Sequence, residues 1–95
     1  MSHLKHYQIN PVVSCGEEAD GAILFHPETD NTAAINDTGL TLWLFLQTPR
    51  TIADMIAFLT DQFQDVSTTQ ATADVTRFIE TLAPDFLFET DTEKS

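Results

Sequence analysis

Basic residues are scarce in this chain. Lys5, Arg50, Arg77 and Lys94 stand against fifteen Asp and Glu, for a formal net charge of −11 and a pI near 4.2. Nucleic-acid binding draws most of its affinity from clustered Lys and Arg that neutralise phosphates. Four scattered cations build no such patch, and an anionic membrane surface is disfavoured for the same reason. Cysteine is nearly absent: Cys15 alone makes no internal disulfide, which fits a reducing cytoplasm. Glycine is limited to Gly16, Gly21 and Gly39, with no phosphate-cradling loop and no dinucleotide fingerprint. No apolar run approaches the ~20 residues that span a bilayer, and Met1 to His6 lacks a signal-peptide apolar core. The histidines are His3, His6 and His26, with no cysteine pair or carboxylate cluster at metal-ligand spacing beside them. His3 and His6 read as surface residues, His26 as the end of a strand entering a turn. Cys15 has no activating base near it in sequence and reads as a half-buried strand residue. The expectation is a protein that is not an enzyme and holds no metal or cofactor.

What is present is a 95-residue chain, 42% hydrophobic, the size of one domain. It is organised around Thr32 to Leu46. That stretch begins as a short strand of small and β-branched residues. Asn36 and Asp37 then offer side-chain acceptors to the first free N–H groups of a helix. The helix, from about Thr38 to Gln47, is apolar on nearly every side, with Leu40, Leu42, Trp43, Leu44, Phe45 and Leu46. Such a helix must be wrapped by its neighbours or meet a partner.

Before it, Pro11 to Cys15 and Ala22 to His26 read as two strands around an acidic turn, and Thr32 to Ile35 as a third. Three strands on short turns make an antiparallel meander whose third strand is an edge. After it, Thr48-Pro49-Arg50 breaks the helix. Thr51 and Asp54 form a capping box for a second helix, with Ile52, Met55, Ile56 and Leu59 at helical spacing up to Phe63. Ser67 caps a third helix with the stripe Ala71, Val75, Phe78, Ile79 and Leu82, which Pro84 stops. Phe86-Leu87-Phe88 folds back onto the core. Residues 1–10 read as a loosely held arm and 89–95 as a mobile acidic tail. The fold class is α+β: a three-stranded antiparallel sheet followed by three α-helices, arranged like a winged helix-turn-helix.

Two features point to binding. One is the free edge at Thr32, Ala33 and Ala34. The other is Arg77, a lone cation on the third helix. Each has an ordinary reading as well: a plain edge strand, and an arginine paired with Asp74 at i−3.

Gly21-Ala22-Ile23-Leu24, Asn36-Asp37-Thr38-Gly39 followed by Trp43-Leu44, Thr51 to Ile56, and Asp74 to Ile79 with Leu82 together resemble the PqqD family. That family is also described as the precursor-peptide recognition element of ribosomal peptide maturation. The resemblance covers residues 11–88. It implies a winged-helix-like, non-catalytic protein that binds the leader of a precursor peptide and acts as its chaperone toward a modifying enzyme. That enzyme is often a radical S-adenosylmethionine (radical SAM) maturase with iron–sulfur clusters. It further implies that the leader adds as a strand at Thr32, Ala33, Ala34 and Ile35 and lies against Asp74, Arg77, Phe78 and Thr81. One departure is the Ala83-Pro84-Asp85-Phe86 turn, which replaces a glycine-containing turn. The alternatives are a winged-helix transcription regulator and a purely structural subunit of a larger assembly. Acidity argues against the regulator.

Overall fold

The computed structural model describes residues 2–83 and 85–94, with side chains for 5–83 and 85–90. The element order is β1 (Ser2–Ile9), β2 (Ser14–Glu18), β3 (Gly21–His26), β4 (Asn31–Asn36), α1 (Asp37–Phe45), β5 (Arg50–Thr51), α2 (Ile52–Gln62), α3 (Thr68–Leu82) and β6 (Leu87–Lys94). The fold is α+β, with antiparallel sheets and three helices.

The meander exists as the sheet β2-β3-β4. Its first strand starts later than the sequence suggests. Pro11 and Val12 form a turn, and Gly16, Glu17 and Glu18 are strand residues paired with Ile23, Ala22 and Gly21. The acidic turn shrinks to Ala19 and Asp20. Gly21 is required where it stands. Its φ is +148°, and a Cβ there would sit 1.9 Å from the Ile35 carbonyl oxygen of β4.

A second sheet, β5-β1-β6, was not anticipated. Residues 2–9, expected as an arm, pair with residues 87–94, most of which were expected as a mobile tail; the register runs from Ser2↔Lys94 to Ile9↔Leu87. Across this pairing the Tyr7 hydroxyl donates to Glu89 Oε2 at 3.0 Å, and Lys5 Nζ lies 3.7 Å from the same oxygen. The end of β1 is tied to two other elements: Ile9 N–H donates to Leu46 O, and Asn10 N–H to Phe86 O.

The helices start at the residues that cap them. Asn36 Oδ1 accepts from Gly39 N–H at 2.8 Å. Thr51 and Asp54 form the reciprocal capping box. Ser67 Oγ accepts from Gln70 N–H. α3 ends at Leu82; Pro84, expected to stop it, lies outside the described residues. Helices and sheets share one core. Leu24 of β3, Leu42 and Trp43 of α1, and Met55 and Leu59 of α2 are all buried in it. Ala71, Val75, Phe78 and Leu82 supply the α3 stripe, and Phe86 and Leu87 fold onto the core. α1 is not enclosed on every side: Leu44 remains 46% exposed.

Candidate functional site

β4 has a strand neighbour only on its β3 side, so its other edge is free among the described residues. Beyond that edge lies a groove of about 160 Å³. Pockets for drug-sized ligands run ~300–1,000 Å³, so the space suits a side chain or two of an extended segment better than a cofactor. β4 supplies Ala34, Ile35 and Asn36. The start of α1 supplies Thr38, Gly39 and Leu42. α3 supplies Asp74, Arg77, Phe78, Thr81 and Leu82, which fall on one helical face.

Local chemistry sets this arrangement. The Asn36 cap turns the chain from β4 into α1 at the groove wall. Gly39 is buried behind it; a Cβ there would stand 2.9 Å from Ile35 Cβ. The missing side chain lets the first turn of α1 close against β4. On α3, Asp74 is held by Gln70, whose Nε2 donates to Asp74 Oδ1 at 3.0 Å. Arg77 is exposed and forms no ion pair among the described residues. The local Arg77–Asp74 pair that the spacing allows is not made. Phe78 is 7% exposed and joins the groove to the core.

Six of the eight residues expected from the sequence therefore line one groove: Ala34, Ile35, Asp74, Arg77, Phe78 and Thr81. Thr32 and Ala33 do not. They lie further along β4, opposite Phe25 and Leu24, and Ala33 turns its side chain toward the core. Asn36, Thr38, Gly39 and Leu42 were not expected as lining. Their signal in the sequence is the Asn36-to-Gly39 cap, which places the start of α1 directly after the edge strand.

The remaining candidates have structural places. Cys15 is half-buried, and burial followed by the nearby Glu17 charge pushes its thiol pKa up, away from a reactive thiolate. His26 is buried with its ring edge against Phe86. Its Nδ1 accepts from Glu28 N–H, the strand-end role its position suggested. Arg50 lies over the Phe45 ring at 4.3 Å, and Phe45 stacks on Phe58 at 3.9 Å. Among the described residues no group of His, Cys, Asp and Glu is placed to hold a metal, and no helix is long and apolar enough to cross a membrane.

Residues 21–84 match the model of the family described as coenzyme PQQ synthesis protein D (PqqD). The chain belongs to the PqqD family. The match covers about two thirds of the chain, from the first residue of β3 to just past α3, and so includes every element of the groove. No curated protein and no solved structure matches the chain significantly. The family is one of peptide-binding accessory proteins in coenzyme biosynthesis.

Proposed function

We propose that this PqqD-family protein is a non-catalytic, cytoplasmic carrier. It binds the leader of a ribosomally made precursor peptide and presents it to a modifying enzyme, a radical SAM maturase. The leader lies extended beside β4 and pairs with its free backbone groups, as in other cases of strand addition. The edge carries small side chains at Ala33 and Ala34, which let a neighbouring strand approach. One leader side chain enters the groove between Gly39, Leu42 and Phe78. An acidic leader residue meets Arg77, a cation left without an ion pair among the described residues.

The observation that carries this reading is the free edge of β4 facing Arg77 and Phe78 of α3 across one groove. Neither feature alone separates a binding site from an ordinary strand and a solvated arginine. Calorimetry with a synthetic leader tests it. The expected result is one-to-one binding that a scrambled leader of equal composition does not reproduce. Equal heats from both peptides would remove the reading.

A further inference from the structure

The sheet β2-β3-β4 buries one face and leaves the other open. Ala22, Leu24 and His26 of β3 point into the molecule. Ile23 and Phe25, between them, point outward and are 39% and 37% exposed. They sit on the central strand, where an outward side chain has a neighbour on each side. Those neighbours are small. Ile23 lies between Gly16 and Ala34, and Phe25 between Ser14 and Thr32. Two large apolar side chains thus stand adjacent on an open sheet face, with no bulky neighbour in either row.

The rim of this face has one sign of charge. Glu18 at the end of β2 and Asp20 in the turn after it stand at one end of the sheet, and the turn at the other end carries Glu28 and Asp30. All four are exposed, and residues 14–36 contain no Lys or Arg. An apolar centre inside a charged rim is the usual anatomy of a protein interface. Complementarity asks of its partner an apolar patch with Lys or Arg at both ends. A second copy of this chain does not qualify. It would set acid against acid in a protein of net charge −11.

We propose that the open face of the β2-β3-β4 sheet, centred on Ile23 and Phe25, is the docking surface for the modifying enzyme. Only the name of the partner rests on the peptide-carrier reading; the surface and the chemistry it asks for do not. The position also suits delivery. A strand added beyond β4 would continue the rows Gly16–Ile23–Ala34 and Ser14–Phe25–Thr32. An enzyme seated on this face would therefore touch the side chains of the bound peptide in those rows.

The test uses the intact chain and the purified modifying enzyme, titrated without peptide. Ile23→Thr and Phe25→Thr introduce a polar, β-branched side chain that a strand accepts. Each is expected to weaken enzyme binding roughly tenfold or more, as truncations at an interface centre do. Glu28→Lys, on an exposed turn, should weaken it at low salt and have little effect at high salt. Affinity for a synthetic leader should stay at the wild-type value in all three variants, since none of these residues lines the groove. Wild-type enzyme affinity in Ile23→Thr and Phe25→Thr overturns the proposal, as does an enzyme that fails to bind the unaltered chain. If the two threonine variants lose leader binding too, their sheet is disturbed and Glu28→Lys decides, an unchanged low-salt affinity counting against the proposal. Loss of self-association with enzyme binding intact would make the face a contact between copies and overturn it as well. Enzyme binding without any leader binding would leave this surface standing and remove the carrier reading.

Discussion

Arg77 gains its meaning from what surrounds it. Asp74, which with Glu80 lies within reach on the same helix, accepts from Gln70 Nε2. The guanidinium is left exposed at the rim of the groove, in a chain with four basic residues. A carboxylate arriving with a leader would meet a guanidinium that makes no ion pair among the described residues. Arg77→Glu should weaken leader binding by ~1–3 kcal/mol, the range for charged hydrogen bonds. Calorimetry checks this; unchanged affinity would return Arg77 to a solvated surface role. Trp43 belongs to the stability of the fold. It is 3% exposed inside the core that joins all three helices. Trp43→Ala should cost about 3–5 kcal/mol in urea denaturation, a large part of the ~5–15 kcal/mol typical of a domain. A loss well under 1 kcal/mol, with solvent-like Trp43 fluorescence in the unaltered protein, would contradict its place in the core.

Among the elements, β4 carries the binding argument. Along an edge strand, alternate N–H groups point outward, and proline removes the one it replaces. Of Ala33→Pro and Ala34→Pro, one should abolish leader binding and leave the fold largely intact. The other should damage the sheet, because its N–H faces β3. Circular dichroism and leader titration of both variants check this, and two folded variants that bind at wild-type affinity would exclude strand addition. The same scale shows which elements the sequence reveals. Helix starts are readable because their signals are local: Asn36, Thr51 and Ser67 each meet a backbone N–H three residues on. The α3 stripe is readable for the same reason, since Ala71, Val75, Phe78 and Leu82 repeat at the helical period. β1 and β6 carry no such signal. They are rich in polar residues, and their pairing joins segments at opposite ends of the chain, from Ser2↔Lys94 to Ile9↔Leu87. Nothing within either segment specifies that register. The start of β2 misleads for a different reason: Pro11-Val12-Val13 has the apolar composition of a strand, while Asn10 draws Val12 and Val13 into a turn by accepting both N–H groups. The groove was half legible. Its α3 wall follows from helical spacing, but its α1 wall depends on Gly39 allowing a close approach to Ile35, which sequence spacing alone does not express.

At the scale of the whole molecule, the charge decides between two uses of a helical unit behind a small sheet. A net charge of −11 repels a phosphate backbone, and α3 carries Asp74 and Glu80 beside its one arginine. Duplex DNA should therefore produce no shift even at low salt; salt-sensitive binding would restore the regulator. Two surfaces differ in charge: a groove whose one cation has no ion pair among the described residues, and an open sheet face with an acidic rim. A peptide held in the first, beside β4, lies next to the second. The central claim is that the leader becomes a strand on β4, and amide hydrogen exchange of the intact chain, with and without synthetic leader, tests it most directly. The account predicts new protection confined to alternate residues of Thr32 to Ile35, with the outer edge strand β2 unchanged. Leader binding that leaves these amides unprotected, with protection appearing instead on α1 or elsewhere, would contradict it.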